Sequence, residues 1–600
     1  MNKRPEIWLF TGFILTIIPA FLMGILIYQN AVNMPFWDDW EISLFLNRIY
    51  PKYELTLQNW LAQANETRYL FPRFIFVGLA YLNKWNWDIR YQMWVSLALA
   101  CLVSINVFRL IKWTISEKLF KVIFIAILCN ILIFSPVQYE NWLWGIQLIV
   151  FMPIACVTTC LVIIYSGISR TTKLILCLIL CTISTFSYAN GMLSWVIVFP
   201  ALAISKTWRW QDIFHQKWLY IPWIAGFTAN MAVYFYNYQK PSQTPGLLAG
   251  LLNPIESLRY FLSFLGAPLA LGIHKFDLQG EYIRNNITIG TVLIILFGTA
   301  WLYLLKHIQE SNLIYRMTGW LVIGCYTVIS GIITALGRVG LGIETSVAPR
   351  YMTFSVYLPL ALIGLIAVIY DDAKNRGYLD KNKQLISQII IGVLLVSFFG
   401  LNILMNEFAI GQIRWAKLER LHAKTCLAFV NVVVEEKCLT EKVYPRLEAV
   451  KKLAKIVDEK DLIDTKFIYS SKAQDIQGKS TANVDGLSYG WLDKVSQVKD
   501  LYVAGGWARL PKRKQPADAV LLTYEKAKGY DIIFAISDTR IQRPDVVSAT
   551  KNQVYLMTGW QRTFSVSKLP KGVLKIKAWA FDTETGKAFQ LDGSQQINNL

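Results

Sequence analysis

Apolar residues gather into long runs from the N-terminus to about residue 408, and beyond that point such runs stop. A run of about 18 or more residues is long enough to cross a hydrocarbon core of roughly 30 Å as a helix. The pattern predicts spans over 7–28, 90–110, 119–136, 147–167, 173–189, 191–205, 218–236, 286–306, 317–336, 351–370 and 386–408, about eleven in all. The first follows Lys3 and Arg4 but is too long for a signal peptide, and no small-residue cleavage site follows it; it reads as a retained span. Two further apolar stretches, 70–82 and 255–273, read as interfacial or re-entrant helices, because counting either as a span would invert the topology after it.

Basic residues set the expected orientation. Arg109, Lys112, Lys118 and Lys121, then Arg170 and Lys173, then Lys206, Arg209 and Lys217, then Lys306 and Arg316, then Lys374, Arg376, Lys381 and Lys383 fall in alternate connections. Cytoplasmic loops collect Lys and Arg, so the alternation predicts a cytoplasmic N-terminus and an extracytoplasmic C-terminal region.

After residue 408 the period changes. Residues 409–464 carry apolar positions at helical spacing among Lys and Glu, which predicts a helical connector. From 465 to 600, short alternating runs such as "LYVAGGWARL", "YDIIFAIS" and "VLKIKAWAFD" are separated by turn residues, the pattern of an antiparallel β-sandwich. The expected organisation is a membrane domain over 1–408 with a first outward loop at 30–88, the connector, and an outward β-domain that binds or positions a partner.

Composition agrees: 54% of the 600 residues are hydrophobic and 17% charged, too apolar for an ordinary soluble chain. The formal net charge of +20 is then a matter of orientation and anionic lipid, not of nucleic acid, since no basic stripe with interleaved stacking aromatics occurs in a soluble segment. Seven of the nine cysteines fall in predicted spans, where cysteine acts as a small hydrophobe. Cys426 and Cys438 lie beyond the last span, on the side expected to be oxidising, which favours a disulfide between them over two buried thiols.

Candidate chemistry collects in the outward loops. "MPFWDDWEI" sets Asp38 and Asp39 between two tryptophans directly after the first span; Glu66, Arg68 and Arg73 follow in the same loop. Glu140 and Asn141 lie in "QYENWLWGIQ", Asn190 in "YANGM", Arg338 after a span, and Arg350 and Tyr351 in "APRYMTFS". Ionisable groups at the edge of hydrocarbon are costly and mark sites or pathways. Simpler duties also suit them: a helix cap for Asp38 or Asp39, a dipole-matched first-turn acid for Glu140, a snorkelling anchor for Arg350.

The acidic pair after span one, the long first loop with its amphipathic segments, the many spans and the outward β-region resemble the GT-C superfamily of integral membrane glycosyltransferases. The set "NETRYLFPR", "YENWLWGIQ", "YANGMLSW", "APRYMT" and "GGWA…ADAVLL…RPDV" resembles a bacterial group within it; there Thr67 stands where that group carries histidine. The resemblance implies an inverting transfer of a hexosyl or pentosyl unit from a polyprenyl-phosphate donor to a glycan, lipid or protein acceptor at the outer face of the cytoplasmic membrane. One of Asp38 and Asp39 would act as general base and the other would orient the acceptor or bind a divalent cation, Mg or Mn; their mutual repulsion raises one pKa and separates the roles. Arg350, then Arg338 and Arg73, would hold the lipid phosphate, and Glu140 and Asn141 would meet sugar hydroxyls. A multi-span transporter or flippase, and a polysaccharide ligase or polymerase, are the competing readings.

Overall fold

The computed structural model describes residues 4–50, 56–115, 118–241, 246–276, 282–479, 488–526, 529–567 and 569–599. It is mostly helical, at 67%, with an antiparallel β-region at the C-terminal end. The helices used below are α1 (Arg4–Asn30), α2 (Asp39–Ile49), α3 (Leu70–Leu82), α4 (Ile89–Thr114), α5 (Leu119–Ile133), α6 (Leu148–Tyr165), α7 (Arg170–Thr185), α8 (Leu193–Ile204), α9 (Lys217–Phe235), α10 (Pro254–Ala270), α11 (Tyr282–Lys306), α12 (Ser311–Arg338), α13 (Tyr357–Asn375), α14 (Lys381–Ala428), α15 (Glu436–Lys442) and α16 (Leu447–Glu459).

Every stretch expected to span carries a helix. By length and composition seven helical segments suffice to cross a membrane: Ile89–Thr114, Leu119–Leu143, Gly145–Tyr165, Tyr282–Lys306, Ser311–Leu341, Pro349–Asn375 and Lys381–Ala428. The expected spans at 173–189 and 191–205 fall on α7 and α8, of 16 and 12 residues, short of the roughly 20 that a perpendicular crossing needs. The stretches 70–82 and 255–273 fold as α3 and α10.

The chain divides into two compact units. The first takes Met1–Ala31, Leu55–Gly78 and Arg90–Ile413. Its helices meet at small residues: a Cβ on Gly266 of α10 would lie 1.9 Å from the Asn286 carbonyl oxygen of α11, and one on Gly290 equally close to that of Leu262. Only glycine permits this approach of two backbones. Gly364 of α13 likewise seats the indole of Trp320, where a Cβ would come within 2.2 Å of the ring; the indole N–H donates to Thr114 Oγ1 at 2.9 Å.

The second unit takes Val32–Glu54, Leu79–Ile89 and Arg414–Leu600. Two pieces of the loop expected at 30–88 thus cluster with the C-terminal region rather than with the helical unit, and the boundary drawn at 408 falls inside the unbroken helix α14. Composition misses this because local hydropathy reports what a segment avoids, not which distant segment it packs against. Lys460 donates to the carbonyls of Asn47 and Tyr50 at 3.0 and 2.7 Å, and the Trp87 N–H donates to the Leu462 carbonyl at 2.6 Å.

The strands used below are β1 (Gln63–Ala64) and β2 (Thr67–Arg68) in the first unit, and β3 (Gly490–Val498), β4 (Leu501–Leu510), β5 (Ala519–Lys526), β6 (Tyr530–Ser537), β7 (Thr539–Ile541), β8 (Gly559–Ser565), β9 (Gly572–Asp582), β10 (Lys587–Gln590) and β11 (Gln595–Asn599) in the second; a short strand Gln515–Pro516 also pairs with β4. One antiparallel sheet runs β10-β9-β5-β6 with β11 also on β9, and another runs β3-β4-β8-β7. Leu492, Ala504 and Trp560 of the latter share one buried apolar core with Val520, Leu522 and Ile576 of the former.

Candidate functional site

In the helical unit the sequence motifs converge through identifiable contacts. β1 and β2 form a two-residue hairpin whose turn is Asn65–Glu66, with Asn65 at φ 49°; asparagine tolerates the left-handed region better than other side chains. Arg68 is buried beneath it and spends its guanidinium on backbone carbonyls, donating to Tyr234 O at 2.7 Å and to those of Leu61 and Tyr236. Arg73, also buried, donates to the carbonyls of Trp60 and Ala62 at 2.6 and 2.8 Å. Both brace the loop that presents Glu66. Thr67 is buried, and the Tyr234 hydroxyl beside it donates to the Glu66 carbonyl at 2.6 Å.

Glu66 meets Arg338, the last residue of α12: Nη2 lies 2.7 Å from Oε1, with the two side chains 30% and 29% exposed. Across 272 residues of chain, this pair brings "NETRYLFPR" to the end of α12. A second pair joins Arg350 and Glu140 at 3.9 Å, long enough for the two charges to attract without a hydrogen bond.

The turn carrying Arg350 is held by its neighbour motif. Asn141, fully buried, donates from Nδ2 to the Arg350 carbonyl at 3.0 Å and to Thr353 Oγ1 at 2.7 Å; Thr353 donates in turn to Gln138 Oε1 at 2.7 Å. "YENW" therefore grips "APRYMT" by its backbone. Asn141 is expended on this grip and offers a sugar no donor, whereas Glu140 beside it keeps its carboxylate toward the Arg350 side chain.

Two tyrosines link the pairs. Tyr188 and Tyr351 both lie within electrostatic range of Arg338 and of Arg350, and the Arg350 guanidinium stands 5.5 Å from the centre of the Tyr351 ring. Tyr188 is set by "YANGM": a Cβ on Gly191 would fall 1.8 Å from the Ser184 carbonyl oxygen, and Ser184 and Ser194 both donate to the Gly191 carbonyl, at 3.0 and 2.7 Å. Thr345 donates to the Tyr260 hydroxyl at 3.1 Å, and Ser346 to Ser263 Oγ at 2.8 Å, which ties the loop after α12 to α10. Tyr188 and Tyr260 were missed at the sequence level. Asn190 drew attention in the first motif instead of its tyrosine, and Tyr260 sits in a stretch read as merely interfacial.

Two arginines, two glutamates and a set of phenols from five separate segments thus form one polar cluster. Arg338 gives one N–H to a carboxylate and Arg350 faces one without a hydrogen bond, and guanidinium N–H groups suit a phosphate or another oxyanion.

Asp38 and Asp39 belong to the other unit. Trp37 precedes them at φ 47°, a costly backbone state for an aromatic residue, and is fixed there by its own donors: its backbone N–H to Val443 O at 2.9 Å and its indole to Glu441 O at 3.2 Å. The Arg420 guanidinium stacks on Phe36 at 3.3 Å from the ring centre. Asp39 is 1% exposed and accepts the Phe36 N–H at 3.1 Å. Asp38 is half-buried and its side chain makes no capping bond to α2. The pair is thereby split: Asp39 secures the turn and Asp38 is its accessible member.

That split bears on the divalent cation. Mg and Mn favour several oxygen ligands with retained water. Here one carboxylate is buried and engaged with backbone, and among the described residues neither aspartate joins a third His, Cys, Asp or Glu. No step below runs through a metal. The one such three-residue group described is His422, Cys426 and Cys438, but Cys426 and Cys438 are joined in a disulfide, Cα to Cα 6.4 Å, which removes both thiolates as ligands. Burial, and next the Lys442 ammonium 3.4 Å away, push the His422 imidazole down to about 3 against the pull of Asp538.

Compared with family models, with curated proteins and with solved structures, the chain matches none.

Proposed function

We propose that this chain is an integral membrane glycosyltransferase that moves a sugar, with inversion, from a polyprenyl-phosphate donor to an acceptor hydroxyl at the outer face of the cytoplasmic membrane. In this reading eleven helices span, the N-terminus is cytoplasmic, and the two C-terminal sheets form an extracytoplasmic sandwich that binds or positions a partner. The acceptor is a glycan, a lipid or a protein.

The observation that carries the reading is the gathering of Arg338 and Arg350 around Tyr188 and Tyr351. In the proposed reaction the acceptor oxygen attacks the anomeric carbon and the bond from that carbon to the phosphate oxygen breaks. The departing phosphate takes the electron pair, and the two guanidiniums stabilise its charge. A carboxylate removes the acceptor proton. From the sequence alone we propose Asp38, the accessible member of its pair, for that role, with Asp39 holding the turn. Glu140, opposite Arg350, orients the donor.

A second assignment has its own support: Glu66 shares a compact unit with both arginines and is 29% exposed, so it stands as the alternative base. Transfer from a radiolabelled polyprenyl-phosphate sugar, measured on proteoliposomes with D38N and with E66Q, separates the two. Loss of turnover in D38N with donor binding retained supports Asp38; the same loss confined to E66Q moves the base to Glu66. If both variants turn over as the wild type, and a solute crosses the vesicle wall instead, the transporter reading replaces this one.

A further inference from the structure

The helix α14 is packed unlike its neighbours. Its apolar window is 11% buried, against 78% for the segment Pro349–Asn375 that contains α13. Leu385, Ile389, Val393, Val396 and Ile403 along it are exposed. Between α14 and the tighter bundle of α5, α11 and α13 lies an apolar cavity of about 500 Å³, lined among others by Phe124, Leu128, Val292, Leu296, Ile366 and Leu394. A second space of about 310 Å³ continues it past Ala300, Ala373 and Ile390. Volumes of this size match small-molecule sites, but walls so nearly devoid of polar atoms fit hydrocarbon rather than a soluble metabolite.

One charged residue lines the groove, Lys121. Its side chain is 34% exposed and its ammonium lies 2.5 Å from Asp371 Oδ2, and the same carboxylate oxygen takes Arg316 at 3.3 Å. Two cations share one anion, which leaves an excess of positive charge at the mouth of a hydrocarbon-lined slot.

We propose that this groove is a seat for an anionic phospholipid of the bilayer, with an acyl chain between α14 and α11–α13 and its phosphate at Lys121. The charge excess selects an acidic headgroup over a zwitterionic one. The lipid would fill the space that α14 leaves open, and so hold that helix to the bundle. The proposal rests on the membrane reading of the chain and is independent of glycosyl transfer.

Native mass spectrometry of the full chain, released from nanodiscs of equal phosphatidylglycerol and phosphatidylcholine, tests it. Phosphatidylglycerol should be retained about five-fold over phosphatidylcholine, the order expected of one basic residue at a membrane surface. Lys121→Gln should bring that ratio close to one without changing transfer, and Ile391→Trp, which fills the groove, should reduce retention of both lipids. Melting curves show whether each variant is folded; if Ile391→Trp is not, the headgroup ratios of wild type and Lys121→Gln decide. Equal retention of the two lipids by the wild type overturns the proposal. So does displacement of phosphatidylglycerol by polyprenyl phosphate at equimolar amounts, which would make the groove a seat for the donor's tail.

Discussion

Arg338 and Glu66 stand 2.7 Å apart at the junction of a two-residue hairpin and the last turn of α12. Neither side chain is deeply buried, so the pair adds little to stability, about 1 kcal/mol or less. A contact that joins two distant motifs at so small a stabilisation is better explained by what it positions. Glu66→Gln should therefore leave the melting temperature within a few degrees of wild type while lowering kcat/KM for the lipid-phosphate donor at least ten-fold. A large fall in melting temperature with activity intact would make the pair a structural strut.

The two aspartates should separate experimentally. Asp39→Ala strands the Phe36 N–H and empties a buried site, at a cost of about 1–3 kcal/mol, and should appear as a lower melting temperature. Asp38→Ala removes no capping bond of α2 and should abolish turnover. Thermal melts and transfer assays on the two variants, side by side, distinguish the roles; identical behaviour would show that they act as a unit.

Asn141 holds the backbone of Arg350 from within the core. Asn141→Ala loses two hydrogen bonds, each worth about 1 kcal/mol net, and frees the turn. The expected result is a drop in stability together with, under the proposed function, a raised KM for the donor, since Arg350 loses the support of its backbone. A raised KM for the acceptor alone would assign Asn141 to the other substrate.

These contacts show what could be read from the sequence and what could not. The positions of the helices followed from apolar runs, because exclusion of backbone polar groups from hydrocarbon leaves little else a long run can do. The motifs around Glu66, Glu140, Tyr188 and Arg350 were visible as clusters of charge and aromatics. Their division of labour was not: whether an arginine binds a phosphate or its own backbone depends on which carbonyls the fold leaves unpaired nearby, as Arg68 and Arg73 show. The membership of residues 32–54 in the C-terminal unit was equally hidden, since it turns on packing against α15 and α16, some 400 residues away.

His422 gives the second unit a pH dependence. Its imidazole is held at about 3 in the folded chain, against an ordinary value of 6.5. Above pH 6.5 it is neutral folded or unfolded and contributes nothing. As pH falls from 6.5 toward 3 the unfolded chain binds a proton that the folded chain refuses, so stability falls by up to roughly 1.4 kcal/mol per pH unit. His422→Gln should flatten this part of the melting profile between pH 6.5 and 4. An unchanged slope would show that other groups set it.

In the proposed reaction Arg338 and Arg350 hold the phosphate of a lipid-linked sugar while its glycosidic bond breaks. The most direct measurement is single-turnover consumption of a polyprenyl-phosphate hexose or pentose by the purified chain in proteoliposomes, with and without EDTA. Free polyprenyl phosphate should appear in step with glycosylated acceptor, and Arg338→Ala and Arg350→Ala should each slow the step by at least a hundred-fold in a folded protein, with chelation reporting whether a divalent cation takes part. Consumption of the donor at an undiminished rate by both arginine variants would contradict it.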